Sequence, residues 1–454
     1  MTRERNKKRI YIGAVVLICS LIAVIGIIGK KKGTQFLDKD GKTFATVYYQ
    51  DGQFQYDCED VDLAYAQVAV EEAISILTKA GQSEKEAKRE IGRGLKIYTY
   101  YDPDISGEMQ NSFENIGGVQ SGGSVLMNTK GEVLACYSMT GGNYVLEKKY
   151  VASTMKPLSA YGPAIEKNLI HWSTLFLDAP LKQIRDENGN DVDWPQSSHY
   201  TGTMKTVQDA VAKSNNAIAI RVLEELDMDE ELDFLTKKLK FNVEPERKMK
   251  ETEGTDSILS HIGLGYLTEG ENVLDMTAKY QIFANGGVYY EPYAISQIDQ
   301  TGKTIYQHGD DTGENVVSEE TAYIINRLLK SVVSKGGTGK AAEIEEMDIC
   351  GKTGTTEGND DNWFIGMTPD YVCGVWHGKF AGTQKDKNRA PEIFKEIMEN
   401  RGEERSEEFQ APETVVEKTY CLQSGKIASE SCTETSTGFY KVNHLPELCD
   451  ICNK

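Results

Sequence analysis

The sequence predicts an α+β fold, with an antiparallel sheet flanked by helices, a helical subdomain inserted in it, and a single membrane-spanning helix at the N-terminus. Three observations carry this prediction. Strand and hairpin patterns lie near both ends of the main body, at 95–100, 124–139 and 362–376. Segments of helical periodicity fill the interval from about 153 to 285. Residues 10–29 carry no charged side chain and are long enough to cross a hydrocarbon core as a helix.

The N-terminal elements follow from charge. Arg3, Arg5, Lys7, Lys8 and Arg9 precede the apolar run and Lys30, Lys31 and Lys32 follow it, so 1–9 reads as a cytoplasmic tail and 10–29 as a single-pass anchor. A cleaved signal peptide would need a shorter apolar core and a small-x-small site, and here the three lysines occupy that position. The rest of the chain is then outside the cell membrane. The formal net charge is −20 although the first 32 residues are strongly basic, so the body is very acidic. That excludes nucleic acid as a natural partner, because phosphate backbones need basic surfaces.

Residues 30–92 read as a stalk: a strand-like patch at 44–49, then a helical pattern through Ala64, Val68, Ala73 and Leu77. A second helix starts at Ser83, whose acidic first turn (Glu84, Glu86) suits an N-terminus. Residues 93–380 form the main body. Its strands at 95–100, 124–139, 288–306 and 362–376, on both sides of the helices, suggest one sheet closed by the two chain ends. Residues 381–412 are a charged linker with a surface helix, and 413–454 are a cysteine-rich tail. Cys58, Cys136, Cys350 and Cys373 read as small buried apolar side chains. Cys421, Cys432, Cys449 and Cys452 lie close together in sequence, so outside the membrane they suggest disulfides with three possible pairings. Zinc is the alternative, but only one tight pair, Cys449 and Cys452, has zinc-ribbon spacing.

Three short segments could carry chemistry. In Ser153-Thr154-Met155-Lys156-Pro157 the proline is tolerated only in a first helical turn, which sets a helix start near Ser153. Lys156, three residues on, shares the face of Ser153 and could take its proton if held neutral by burial or by a second cation. Gly162-Pro163 should kink or end this helix. Such a pair usually marks no more than a solvated helix start, but the chain has only one. Ser214-Asn215-Asn216 lies between two helical patterns, where the ordinary role is an N-cap and the functional one is a proton relay with an amide for a peptide carbonyl. Gly351-Lys352-Thr353-Gly354-Thr355-Thr356 resembles a phosphate loop only superficially. The glycine required five positions earlier is Glu346, and for Gly339-Lys340 it is Ser334. A cation and hydroxyls on a strand suit a substrate carboxylate instead. There is no Gly-x-Ser-x-Gly elbow, and the six histidines have no metal-ligand spacing, so no metal or cofactor is assigned to the site.

The order Ser-x-x-Lys, Ser-x-Asn, Lys-Thr-Gly resembles the penicillin-binding protein and serine β-lactamase superfamily. Gly94-Leu-Lys-Ile-Tyr-Thr-Tyr-Tyr-Asp-Pro103, Phe283-Ala-Asn-Gly-Gly-Val-Tyr289, Gly337-Thr-Gly-Lys-Ala-Ala342 and Trp363-Phe-Ile-Gly-Met-Thr-Pro-Asp370 are similar to the transpeptidase domain of class A penicillin-binding proteins. The resemblance covers roughly 92–380, and the cysteine tail is similar to that of some class A members. It implies that Ser153 attacks the penultimate D-Ala carbonyl of a peptidoglycan stem peptide, with Lys156 as base. It further implies that Ser214 passes a proton to the leaving amine and that Lys352 supplies positive charge. Asn216, Thr353, Gly354 and Thr355 would bind substrate, and the N–H groups of Ser153 and Thr355 would form the oxyanion hole. β-Lactams would acylate the same serine.

Two departures stand out. Ala152 replaces the glycine common before the serine, with little effect expected because alanine is also small. The glycosyltransferase domain of class A members has no counterpart in the 65 or so residues between anchor and body, so a separate glycan polymerase is expected as a partner. A D,D-carboxypeptidase acting on the same substrates, or a catalytically silent scaffold in a cell-wall complex, are the alternatives.

Overall fold

The computed structural model describes residues 32–185, 188–197, 199–380, 388–401 and 408–452. The expected anchor at 10–29 and the tail before it lie outside these residues. Among the described residues no helix is long and apolar enough to cross a membrane.

The chain begins with β1 (Thr34–Leu37), β2 (Thr43–Gln50) and β3 (Gln53–Cys58), an antiparallel meander whose second turn is Asp51-Gly52, both at positive φ. Helix α1 (Leu63–Lys79) follows, and then α2 (Glu84–Ile91), opened by a Ser83/Glu86 capping box as its acidic first turn suggests. Next, β4 (Lys96–Thr99) pairs in parallel with β1. The segment read as a stalk is therefore built into a sheet of the body. Its Phe44 and Tyr65 rings pack with Tyr101 in edge-on and tilted contacts, the three centroids within 6 Å of one another.

Asp102 caps α3 (Pro103–Ile116), whose first residue is proline. The expected hairpin is β5 (Gly122–Asn128) and β6 (Val133–Ser138). After the serine turn described below, α4 (Gly162–Glu166) leads into a mixed region. Its short strands β7 (Leu175–Leu177) and β10 (Met204–Thr206) pair with each other, as do β8 (Lys182–Arg185) and β9 (Asp191–Trp194). The helices α5 (Val207–Ala212), α6 (Asn216–Glu224), α7 (Met228–Lys237), α8 (Glu244–Glu253), α9 (Leu259–Leu264) and α10 (Val273–Tyr280) complete the helical subdomain.

Beyond the short β11 (Val288–Tyr289), β12 (Ile295–Gln300) and β13 (Lys303–Gln307) join the first sheet, giving the order β13-β12-β4-β1-β2-β3. Then β14 (Glu314–Asn315) pairs with β11, and α11 (Glu319–Val333) runs to the second sheet. Its remaining strands are β15 (Cys350–Thr355), β16 (Asn362–Met367) and β17 (Tyr371–His377), in the order β15-β16-β17-β5-β6, antiparallel throughout. Two sheets thus stand where one was expected. Strand periodicity reports which residues face a core, not which strand is the partner.

The second sheet is buried on both faces. Val125, Met127, Ile365 and Trp363 face the main core, which α10 and the serine turn share. Leu126, Phe364 and Val375 face a smaller core with α3 and α12 (Ala390–Glu399). In the charged segment expected as a linker, Ile393, Phe394 and Ile397 of α12 are thus packed on the sheet. The last two strands form a hairpin, β18 (Val415–Cys421) and β19 (Thr435–Lys441), against α11, with Lys441 Nζ donating to Ile165 O of α4.

Candidate active site

The serine segment is a helix of changing pitch. Ala152–Thr154 is a 3₁₀ turn, Pro157–Tyr161 a π turn, and α4 continues from Gly162. Gly162-Pro163 was expected to kink or end it. The π turn passes the helix through this pair instead: the Gly162 N–H reaches back to Pro157 O, and the wider spacing relieves the proline.

Several hydrogen bonds pin this turn from outside. Tyr280 OH donates to Thr154 O (2.6 Å), Trp363 Nε1 to Tyr150 O (2.8 Å) and Ser159 Oγ to Ile262 O (2.7 Å). The N–H groups of Val151 and Ala152 both donate to Gly265 O (3.1 and 3.2 Å). A Cβ on Gly265 would lie 2.1 Å from Ala152 O, so only glycine fits there. Ala152 itself has φ +49°, a left-handed conformation that costs a residue with a Cβ about 1 kcal/mol. The backbone at this position, and not only the size of the side chain, thus distinguishes alanine from glycine, whereas the expectation of little effect rested on size alone.

The Ser-x-Asn segment forms the junction of α5 and α6. Asn215 N donates to Ala210 O and Ser214 N to Val211 O, a Schellman closure that puts Ser214 at the position usually held by glycine, with φ +56°. Asn215, not Ser214, caps α6, its Oδ1 accepting from Ile218 N (2.9 Å). Its amide nitrogen donates to Asp178 Oδ1 (2.8 Å). With the capping done by Asn215, Ser214 and Asn216 are free to face the serine turn.

Four of the expected residues meet directly. Lys156 Nζ donates to Ser214 O (2.7 Å), Asn216 Oδ1 (2.6 Å) and Ser214 Oγ (3.4 Å). Lys352 Nζ donates to the same Ser214 Oγ (2.8 Å) and to Thr353 O (2.9 Å). Both lysines are 0% exposed, and among the described residues neither is paired with a carboxylate. Burial, and secondarily the neighbouring Lys352, push Lys156 well below the usual lysine range. Burial lowers Lys352 to about 7. Ser153 is half-buried at the turn just before Lys156.

The Lys-Thr-Gly segment is β15, the edge strand of its sheet. It lies flat on the serine turn: a Cβ on Gly354 would be 2.8 Å from Val151 O and 3.0 Å from Thr154 Cγ2. Gly354, expected to bind substrate, thus has a packing role of its own, allowing strand and turn to touch. Two residues escaped the sequence reading. Thr338 Oγ1 hydrogen-bonds Thr353 Oγ1 (2.7 Å); its segment 337–342 is part of the resemblance, but no role was given to the threonine. Asn388 Nδ2 reaches Gly354 O (3.0 Å), Thr355 Oγ1 (3.1 Å) and Trp363 O (3.0 Å) from a segment read as linker. A cleft of about 720 Å³ opens beside these groups, bordered by Ser214, Asn216, Lys213, Gln196, Thr201 and Glu357.

Comparison with known proteins gives this arrangement a family. Residues 122–399 match the family described as penicillin binding protein transpeptidase domain. Penicillin-binding protein 1A of Clostridium acetobutylicum is 30% identical over 339 residues, 67% of this chain and 40% of that protein. Penicillin-binding protein 4 of Bacillus subtilis is 32% identical over 304 residues, 64% of this chain and 45% of that protein. The chain thus spans less than half the length of either. Among solved structures, penicillin-binding protein 1A from Haemophilus influenzae superposes with a TM-score of 0.66 at 17% identity, covering 83% of this chain and 76% of that one. The D,D-transpeptidase domain of a peptidoglycan glycosyltransferase from Eggerthella lenta gives 0.61 at 18% identity, covering 82% and 100%. The matched segment contains all three motifs and most of the chain, and the chain belongs to the penicillin-binding protein transpeptidase family.

Proposed function

We propose that the chain is a serine D,D-transpeptidase that cross-links peptidoglycan stem peptides through a Ser153 acyl-enzyme and is acylated by β-lactams at the same atom. The observation that carries this reading is the convergence of two buried, carboxylate-free lysines on the Ser214 hydroxyl, beside the serine turn. A neutral Lys156 accepts the Ser153 Oγ proton as the oxygen attacks the penultimate D-Ala carbonyl. The oxyanion is stabilised by the N–H groups of Ser153 and Thr355. The C–N bond breaks, and the proton returns to the leaving D-Ala amine through Ser214. An acceptor amine from a second stem then attacks the ester, forming the new amide and freeing Ser153.

Substrate binding follows from the strand. As an edge strand, β15 has one side without a neighbouring strand, and an extended peptide can pair with its backbone there. Lys352, Thr353 and Thr355 then hold the terminal carboxylate, which would favour the charged form of Lys352. Asn216 holds the peptide amide. On this reading the 10–29 run tethers the enzyme outside the membrane, and glycan strands come from a separate polymerase.

The test is acylation by a fluorescent penicillin. Wild type should form a long-lived covalent adduct and Ser153→Ala none; a wild-type chain that takes no label would refute the proposal. Incubation with a pentapeptide donor and an acceptor amine should yield cross-linked dimer together with D-Ala. Release of D-Ala alone would mark a carboxypeptidase.

A further inference from the structure

The C-terminal tail holds a second cluster of reactive side chains, remote in sequence from the catalytic motifs. Cys421, Cys432, Cys449 and Cys452 converge so that all four sulfurs lie within 4.8 Å of one another. None is in a disulfide, so the pairing expected from the sequence is not what the fold presents. The Cys421 and Cys452 sulfurs are 3.6 Å apart. A disulfide holds its sulfurs at about 2.05 Å. Four thiolates at about 2.3 Å from a tetrahedral zinc ion stand about 3.8 Å from each other.

The local fold explains why the sulfurs meet. Cys421 ends β18, and the turn at Gly425 brings Gly425 N back to Cys421 O (2.8 Å). Cys432 lies in the loop before β19, where Ser429 N donates to its sulfur (3.3 Å), as amides around metal-bound thiolates do. Cys449 N donates to Ile427 O (2.7 Å), carrying the Cys449-x-x-Cys452 pair to the other two. Lys426 ties the same loops through Glu447 (3.0 Å) and Asp450 (3.1 Å).

Apart from the face it packs on the body through Tyr420, Tyr440 and the partly buried Phe439, the module has little core of its own. Between 413 and 452 the buried side chains of any size are Tyr420 and Tyr440, while Leu422, Val442, Leu445, Leu448 and Ile451 are all more than 40% exposed. A unit this small rarely folds on apolar burial alone and usually needs a metal or disulfides. We infer that the tail binds one structural Zn²⁺ through Cys421, Cys432, Cys449 and Cys452. All four thiols bind as thiolates and release their protons to solvent, and no coordination position is left open for chemistry.

The site has a structural consequence for the body. Ser173 Oγ donates to Gly425 O (2.6 Å), Tyr440 OH donates to Ser173 Oγ (2.8 Å), and Lys441 Nζ donates to Ile165 O (3.0 Å) in α4. The zinc module therefore clamps the far end of the helix that begins at Ser153. Full-length protein purified without chelator should contain one equivalent of zinc by elemental analysis. Its tail thiols should resist alkylation until a strong chelator is added. Exchange for Co²⁺ should give the absorption of a tetrahedral tetrathiolate site, and Cys449→Ser/Cys452→Ser should lose it. The Co²⁺ titration of wild type decides the matter even if that variant misfolds. An intact mass reduced by the hydrogens of two disulfides, a metal-free tail with reactive thiols, or an equivalent of another metal would each overturn the assignment.

Discussion

Buried cations occur in two regions of this molecule under opposite rules. Behind the second sheet, Lys279 lies 3.2 Å from Glu271 and over the Phe241 ring, and Arg327 pairs with Asp348, which also takes the half-exposed Lys330. Each of these charges has a carboxylate. In the cleft, Lys156 and Lys352 are also buried, but among the described residues their hydrogen bonds go to hydroxyl, amide and carbonyl oxygens. A buried ion pair stays charged because separating it is costly. A buried ammonium without a counter-ion is pushed toward the neutral amine, the form a general base requires. The backbone differs in the same way. The β2–β3 turn puts positive φ at Asp51-Gly52, as hairpins ordinarily do, whereas the cleft puts it at Ala152 and Ser214.

If that contrast is functional, neutralising the two kinds of lysine should have separable effects. Lys156→Met removes the proposed base, and the second-order rate of penicillin acylation should fall by about 10³-fold, with the melting temperature unchanged or raised. Acylation within a few-fold of wild type would remove Lys156 from the mechanism. Lys279→Met should do the reverse. It strands Glu271 in the interior, and a buried carboxylate without its partner should destabilise the fold by about 3 kcal/mol. The melting temperature should fall clearly while the acylation rate of the folded protein stays within a few-fold of wild type.

A pH series sharpens the comparison further, with a smaller expected effect. Folding lowers Lys352 to about 7, below the value it takes in the unfolded chain. Unfolding therefore takes up a proton between about pH 7 and the ordinary lysine range, and the contribution of this group to stability rises with pH across that window. Lys352→Met removes the contribution along with two Nζ hydrogen bonds. Its melting temperature relative to wild type should be highest near pH 6.5 and should decline steadily toward pH 10. A pH-independent difference would mean that Lys352 is not depressed.

The sequence made the site's chemistry legible but not its mechanics. Ser153, Lys156, Ser214 and Lys352 are singled out by the order of three motifs that are each weak alone, and the fold brings Lys156, Ser214 and Lys352 into contact. Gly354 and Gly265 could not be read as spacers, since the backbone each one admits, at Val151 and at Ala152, comes from a distant segment or only from the fold. The partners of Asn388 and of Thr338, the latter within a segment that carried the resemblance, were hidden for the same reason. The fold class was legible from alternation in 124–139 and 362–376. The joining of β1 to β4 and β12 was not, because pairing is decided in three dimensions. In the tail, spacing exposed Cys449 and Cys452 as a pair, and only the turn at Gly425 revealed what Cys421 adds.

The smallest predicted effect tests whether the cleft's strained backbone is needed or merely tolerated. Ala152 holds φ +49° because both its neighbour Val151 and Ala152 itself bond Gly265 O, an arrangement that leaves no room for the turn to relax. Glycine occupies that conformation without steric cost but loses more freedom on folding. The two terms oppose each other, and the strain, at about 1 kcal/mol, is the larger. Ala152→Gly should therefore raise the melting temperature slightly and leave the penicillin acylation rate within about two-fold, because the hydrogen bonds that fix Ser153 come from Tyr280, Trp363 and Gly265 rather than from the alanine methyl. If acylation instead fell ten-fold, the methyl group would itself be restraining the serine turn, and the strain at residue 152 would belong to the catalytic geometry.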